Sequence, residues 1–104
     1  MGAVDVVQAD VSRCAGITEW RRVAGLAAAH GLDISGHCAQ SLHVHVACAA
    51  PNLVHLEYFA DHARADRLLF DGVLDPVGGR LAPDPDVPGH GLVLSDRAQR
   101  WRIA

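Results

Sequence analysis

Short apolar stretches alternate with alanine-rich stretches along the first sixty residues. Three of them are rich in β-branched, aliphatic or aromatic residues and favour β-strands, at residues 3–9, 32–35 and 54–59. Between these strands, residues 20–30 and 41–50 are rich in small and helix-favouring residues and predict two helices. A strand–helix–strand–helix–strand order with such short connections is typical of parallel α/β packing.

Local signals mark the ends of the two predicted helices. Thr18 is expected to cap the first helix, with Glu19 in its first turn. Gly31 is expected to follow the end of that helix. Pro51 stops the second helix.

The remainder of the chain is more polar and rich in turns. Residues 61–70 are expected to form a loop or one irregular helix. Residues 71–91 hold four of the five prolines and five of the ten glycines, which is typical of a turn-rich surface segment. Residues 92–94 and 101–103 predict short extended pieces.

These patterns divide the chain into an α/β part, residues 1–70, and a Pro/Gly-rich tail, residues 71–104. A chain of 104 residues is too short for a complete (β/α)₈ barrel, which takes ~250 residues. All nine positively charged residues are arginine, which excludes a P-loop lysine and Schiff-base lysine chemistry in this chain. The net charge of −3, with no basic stripe, predicts no nucleic-acid partner.

The cysteine pattern and the lengths of the apolar runs indicate the cellular compartment in which the protein is expected. The three cysteines form no CxxC pair, and their odd number indicates a reducing compartment, so we expect a cytoplasmic protein. No apolar run reaches the ~18 residues of a membrane span, so no membrane partner is expected. The first residues lack the basic-then-apolar pattern of a secretory signal.

Four histidines outside the strand ends could suggest a metal site. His43 and His45 lie two apart on a predicted helix and therefore point to different faces. His55 alternates with its strand neighbours, and His62 has a surface-like context. Neither an HExxH motif nor a Cys/His set with zinc spacing occurs, so we expect no metal ligands in this chain.

Polar residues stand at equivalent places on the three predicted strands. Asp10 follows the first strand, His37 follows the second, and Glu57 lies near the end of the third. The carboxyl ends of parallel strands face one crevice, and neighbouring strands lie ~4.8 Å apart. Asp10 could therefore fix the tautomer of His37 as a general base, with Glu57 facing the same substrate.

Each of these three residues also has a structural interpretation. An aspartate after a strand is commonly a turn or cap residue, and a single histidine is commonly a satisfied structural residue. Glu57 in an apolar strand is harder to explain in this way, because an unpaired buried carboxylate costs several kcal/mol.

Longer motifs point to a known family. Residues 5–59 contain Q-x-D, R-C-x-G-I-T, S-x-H, P-N and L-E-Y in this order, and the tail reads PVGGRLAPDPDVPGHGLVLS. This pattern resembles the last third of an enolase-superfamily barrel of the mandelate racemase and sugar-acid dehydratase type. The resemblance covers essentially the whole chain.

The resemblance implies a fold and a chemistry. Members have a capping domain and a modified (β/α)₇β barrel, bind Mg²⁺ and abstract the proton next to a carboxylate to give a metal-stabilised enediolate. Racemisation, dehydration or cycloisomerisation follows. By resemblance, Asp10 and His37 match the catalytic dyad at the ends of the sixth and seventh barrel strands, and Glu57 matches the substrate-contacting carboxyl group of the eighth.

The sequence also departs from the family pattern. Ala15 stands where glycine is usual, Gln40 where some relatives have proline, and His90 where leucine is frequent. The family's Mg²⁺-binding carboxylates come from strands that would precede this chain, so Mg²⁺ is the implied cofactor with its ligands outside the chain. We therefore expect no tight Mg²⁺ binding by this chain alone.

The expected fold is a partial TIM-type α/β barrel, its last three β/α units, followed by the turn-rich tail. Two functions remain open: the C-terminal part of a Mg²⁺-dependent lyase or isomerase acting on a small carboxylate such as a sugar acid, and a non-catalytic remnant or interaction module. An upstream reading frame carrying the metal carboxylates would favour the first. Open strand edges and apolar faces predict self-association or pairing with a missing N-terminal portion.

Overall fold

A three-stranded parallel sheet with two crossover helices forms the first half of the molecule. The computed structural model describes residues 2–103. Its elements follow in the order β1 (Val6–Ala9), α1 (Ile17–Ala29), β2 (Asp33–Gly36), α2 (Gln40–Ala47) and β3 (Leu53–Leu56). The strands pair in the order β1–β2–β3, and both pairs are parallel. The predicted parallel α/β arrangement is therefore confirmed.

Strand register places the three carboxyl ends side by side. Ala9 is paired with Gly36, and Gly36 with Leu56. The ladder continues one step further, because the amide of His37 donates to the carbonyl of Ala9 and the amide of Glu57 donates to that of Gly36, both at 2.9 Å. The residues that follow the three strands consequently emerge at one edge.

The hydrophobic core lies between the sheet and the two helices. Trp20 and Ile34 are fully buried and form one cluster with Val11, Ala24 and Val46. The indole Nε1 of Trp20 donates to the carbonyl of Ala9 at 3.1 Å. This bond fixes α1 against the last residue of β1, directly before the candidate site.

The first strand differs from the expectation of a buried strand at residues 3–9. β1 begins only at Val6, and the side chains of Val4 and Val6 are 51% and 37% exposed. Among the described residues, β1 pairs with β2 alone and forms an edge of the sheet. Its β-branched composition therefore reflects strand propensity and not burial within this chain.

Several helices and strands begin or end at residues other than those expected from the sequence. Thr18 is not an N-cap, because α1 starts at Ile17 after Gly16, whose φ of 95° lies in the left-handed region and whose carbonyl accepts from the amide of Trp20. Gly31, with a φ of 68°, follows the end of α1 as predicted. α2 ends three residues earlier than expected, and β3 ends at Leu56, before Glu57.

The C-terminal half contains one regular helix and a short hairpin-like ladder. α3 (Ala60–Leu69) resolves the alternative left open for residues 61–70 in favour of helix. β4 (Phe70–Asp71) pairs antiparallel with β5 (Val93–Leu94), and a 3₁₀ helix follows at Asp96–Trp101. Of the extended piece expected at residues 101–103, Trp101 instead ends the 3₁₀ helix, whereas Arg102 has an extended backbone conformation. No helix within residues 2–103 is long and apolar enough to cross a membrane.

Candidate active site

Asp10 and His37 form a direct pair at the strand ends. The Asp10 Oδ2 atom lies 2.9 Å from His37 Nδ1. The other carboxylate oxygen, Oδ1, accepts from the backbone amide of Ser12 at 2.8 Å and from its hydroxyl at 2.6 Å. Arg13 Nε lies 3.3 Å from Oδ2 on the solvent side. Both oxygens of the carboxylate therefore have polar partners that hold it in place, and the Asp10 side chain is only 8% exposed.

These contacts determine the charge on Asp10. Burial raises the pKa of this carboxyl group, but hydrogen bonds from Ser12 and His37 outweigh burial and lower the pKa to about 2. Asp10 is thus ionised at neutral pH and can only accept hydrogen bonds. It follows that His37 Nδ1 carries a proton and donates it to Asp10, which leaves Nε2 as the atom available for chemistry.

His37 Nε2 faces Glu57 and Cys38. The distance from Nε2 to Glu57 Oε2 is 3.9 Å, and that from Nε2 to Cys38 Sγ is 3.4 Å. The His37 and Glu57 side chains are 30% and 27% exposed, so both reach the surface of the crevice. Glu57 Oε2 is itself buried and has no hydrogen-bond partner within residues 2–103. The structure thus brings all three predicted residues to one edge; their catalytic role stays a prediction.

Cys38 is a neighbour that the sequence interpretation did not include. Burial raises the pKa of its thiol, and the nearby carboxylates of Glu57 and Asp10 raise it further. A thiol with such a pKa is protonated at neutral pH, which argues against a nucleophilic role. Its position directly after His37 was the signal available in the sequence.

His43 was considered only as a possible metal ligand, and the structure gives it a positioning role instead. Its ring is fully buried. Nε2 accepts from the amide of Val11 at 2.9 Å, and Nδ1 donates to the carbonyl of Cys38 at 2.8 Å. The neutral ring therefore ties the segment that follows Asp10 to the segment that follows His37.

Gly36 makes room for this arrangement. A Cβ atom at this position would lie 2.6 Å from Leu56 Cδ2 and 3.0 Å from His43 Cδ2. The glycine thus allows His43 to approach the strand end immediately before His37. The S-x-H motif noted in the sequence contains this glycine as its middle residue.

The donor set at this edge does not fit Mg²⁺. Mg²⁺ is held by oxygen ligands in octahedral geometry. Within the described part of the chain, the one group of three potential ligands that come close together consists of His37, Cys38 and Glu57. It offers one carboxylate beside a nitrogen and a sulfur, and both oxygens of Asp10 already accept hydrogen bonds.

Comparison with known families accounts for this architecture. Residues 1–98 match the family model described as enolase C-terminal domain-like. The chain belongs to this family. The resemblance inferred from the motifs is confirmed, and the enolase-type parallel α/β topology agrees with the observed sheet.

Several relatives are sugar-acid dehydratases. The chain is 35% identical to the L-talarate/galactarate dehydratase of Salmonella typhimurium, over 95% of this chain and 24% of that protein. It is 34% identical to the L-rhamnonate dehydratase of Saccharopolyspora erythraea, over 98% of this chain and 27% of that protein. The chain therefore spans about a quarter of the length of these relatives.

Solved structures give the same assignment. A mandelate racemase/muconate lactonizing enzyme-like protein from Rubrobacter xylanophilus is 55% identical and superposes with a TM-score of 0.89, over 95% of this chain and 28% of that one. L-Talarate dehydratase from Polaromonas, solved with Mg and L-glucarate, is 35% identical with a TM-score of 0.80, over 95% of this chain and 26% of that one. Mg is thus the metal bound in the Polaromonas relative.

Proposed function

We propose that this chain forms the histidine-bearing wall of the active site in a Mg²⁺-dependent enolase-superfamily lyase or isomerase acting on a sugar acid. In that proposal its three strands are the last strands of a (β/α) barrel whose other strands lie outside the chain. The observation that carries the proposal is the Asp10–His37 pair at 2.9 Å, with His37 Nε2 turned toward Glu57 at the carboxyl ends of the strands.

His37 transfers the proton in this mechanism. Its neutral ring accepts at Nε2 the proton from the carbon next to the substrate carboxylate, and the electron pair of the broken C–H bond delocalises into that carboxylate. Asp10, ionised and fixed by Ser12, then stabilises the imidazolium at Nδ1. In a dehydration the ring returns its proton to the departing hydroxyl group. In a racemisation a donor outside this chain protonates the carbon on its opposite face, and the imidazolium releases its proton to water.

Glu57 contacts the substrate from the adjacent strand. Its Oε2 atom is buried, unpartnered among the described residues and 3.9 Å from His37 Nε2. A substrate oxygen bearing a proton would satisfy this atom and hold the reacting carbon near Nε2. This placement supports a sugar acid, which carries hydroxyl and carboxyl groups close to its acidic C–H bond.

Mg²⁺ would lower the cost of charge developing on the substrate carboxylate. The proposal places its ligands outside this chain, because the donor set of His37, Cys38 and Glu57 does not suit the ion. The part of the reaction contributed by this chain is therefore proton transfer and substrate contact.

A chimera tests the proposal. Residues 5–98 replace the aligned quarter of the Salmonella L-talarate/galactarate dehydratase, and deuterium incorporation from D₂O next to the galactarate carboxylate is measured. We expect exchange in the chimera and a loss of about 10²-fold or more in His37→Asn, in the range of general acid–base catalysis.

The matched control is His30→Asn, which alters an exposed histidine at the C-terminal end of α1. This variant is expected to retain the exchange. A folded chimera with bound Mg²⁺ that exchanges equally well with and without His37 would contradict the proposal.

A non-catalytic interaction module remains the second candidate. The observation in its favour is the exposure of large apolar side chains on the sheet and after it, including Val6, Val54 and Phe59. The chimera distinguishes the two candidate functions. A chimera built with a non-catalytic module would show no deuterium exchange, and therefore no exchange that depends on His37.

A further inference from the structure

We propose that His37, Cys38 and Glu57 bind one thiophilic divalent cation, with Zn²⁺ as the ion that best fits this donor set. This site goes beyond the proposed function, which assigns no metal to these residues. Zn²⁺ accepts nitrogen, sulfur and oxygen ligands together in tetrahedral geometry, whereas Mg²⁺ requires oxygen.

The distances between the three ligand atoms suit a tetrahedral ion. Zn–S and Zn–N bonds of about 2.3 and 2.0 Å imply ligand–ligand separations of roughly 3.3–3.6 Å. His37 Nε2 and Cys38 Sγ are 3.4 Å apart, and His37 Nε2 and Glu57 Oε2 are 3.9 Å apart. One ligand atom from each of the three residues lies within 4.8 Å of the other two, so the ligands would have to draw closer together around a bound ion.

Asp10 completes the outer part of the site. A histidine that binds a metal through one nitrogen commonly donates its other N–H group to a carboxylate, which fixes the ring and raises its strength as a ligand. His37 Nδ1 makes this contact with Asp10 at 2.9 Å, and Ser12 in turn holds Asp10. The metal-facing nitrogen is therefore oriented in advance.

Charge and hydrogen bonding also favour a cation at this point. Glu57 Oε2 is buried without a partner in the described part of the chain, which is costly for a carboxylate. The carboxylate of Asp10 adds negative charge behind His37, and the exposed Arg13 side chain, 3.3 Å from Asp10 Oδ2, offsets part of it. A divalent ion between the three ligand atoms would pair with Glu57 directly and would displace the proton of the Cys38 thiol into solvent.

Three protein ligands leave the fourth tetrahedral position for water or a substrate oxygen. The partial exposure of His37 and Glu57 keeps that position accessible. Metal binding at Nε2 would occupy the lone pair that the proposed function uses for proton transfer. In this respect only, the inference rests on the proposed function and predicts inhibition of proton transfer by Zn²⁺.

Cobalt(II) reports on the site directly. The 104-residue chain is titrated with Co²⁺ under reducing, anaerobic conditions, and the thiolate-to-cobalt charge-transfer band and visible d–d bands are recorded. We expect the charge-transfer and d–d bands to saturate at one equivalent of Co²⁺, with the intensity of tetrahedral coordination. Both sets of bands should disappear when one equivalent of Zn²⁺ is added and persist in a large excess of Mg²⁺.

Variants assign the ligands. Cys38→Ser is expected to abolish the charge-transfer band, whereas Cys14→Ser/Cys48→Ser, which removes the two other free cysteines, is expected to retain it. Glu57→Gln is expected to weaken binding without removing the band, and Asp10→Asn to weaken it about 10–100-fold through the outer contact.

Two results would overturn the site: a titration without a saturable band in the wild-type chain, or a band that survives in Cys38→Ser. Circular dichroism of each variant establishes that the helices are retained. Because binding is read from the spectrum and not from turnover, failure of the metal site and failure of the proposed catalytic role are distinguishable.

Discussion

The sheet region (residues 6–57) and the C-terminal segment (residues 58–103) are built in different ways. The whole hydrophobic core cluster lies in the sheet region, formed by Val11, Trp20, Ala24, Ile34 and Val46. In the described part of the C-terminal segment, the buried apolar residues are two alanines, Ala63 and Ala98.

Polar contacts dominate the C-terminal segment instead. Arg97 reaches Asp71 at 2.6 Å and also donates to the carbonyl of Arg67, and Arg67 pairs with Asp75. All four side chains are exposed, and exposed ion pairs contribute about 0–1 kcal/mol. Burying one large apolar side chain contributes about 1.5–3 kcal/mol. Stability and site geometry therefore both depend on the sheet region.

The largest expected effect concerns the association state of the whole chain. Strand edges and exposed apolar side chains promote association, and a lysine on an edge strand suppresses it. We expect the purified chain to be oligomeric, and Val6→Lys on β1 to increase the monomer fraction. Val93→Lys in the C-terminal segment is the matched control and should not. Size-exclusion chromatography with light scattering measures both, and a monodisperse wild-type monomer would contradict the prediction.

The two tryptophans test where the folding free energy resides. Trp20 is fully buried, whereas Trp101 is 56% exposed and stacks with Arg100. Trp20→Ala is expected to lower the free energy of unfolding by about 3–5 kcal/mol, and Trp101→Ala by no more than about 0.5 kcal/mol. Denaturant unfolding monitored by circular dichroism compares them. Equal losses would show that the C-terminal segment contributes to a common core.

Acid pH should weaken the sheet region through Asp10. Its pKa of about 2 in the fold lies below the ordinary value of 3.8, so ionised Asp10 stabilises the fold by about 2 kcal/mol above pH ~4. This contribution is lost as the pH falls through 4 toward 2.

Asp10→Asn provides the measurement for that prediction. The wild-type chain should be more stable than the variant at pH 6, and the difference should shrink at pH 2.5. Asp5→Asn, at an exposed position, is the control and should change stability little at either pH. A constant difference between wild type and Asp10→Asn across this range would be inconsistent with the assigned hydrogen bonds.

Much of the sheet region could be predicted from the sequence, because strand and helix propensities agree there with tertiary packing. The element order, the turn at Gly31 and the convergence of Asp10, His37 and Glu57 follow from such local signals combined with parallel pairing. These local signals did not predict the start of α1, because Gly16 and not Thr18 is the residue directly before the helix.

Local sequence patterns could not predict contacts between residues that are distant in the sequence. The buried bridge from His43 to Val11 spans 32 positions, and nothing in a short helix of small residues marks it. The cluster of Cys38 with Glu57 depends likewise on strand register. In the C-terminal segment, turn residues identified the surface character correctly, but they contain no signal for the pairing of β4 with β5.

The smallest expected effect concerns backbone strain before α1. Ala15 is exposed and has a φ of 67°, a conformation that costs a non-glycine residue about 1–2 kcal/mol. Glycine removes that cost but loses more entropy on folding, so Ala15→Gly is expected to stabilise the chain by about 0.5–1 kcal/mol.

Gly31→Ala, at a φ of 68°, is the converse change and should destabilise the chain by a similar amount. Gly78→Ala, at a φ of 57° in the C-terminal segment, should have less effect on the global transition, because a segment with few buried contacts opens locally first. Equal losses in Gly31→Ala and Gly78→Ala, measured by denaturant unfolding, would show that the two regions unfold as one cooperative unit.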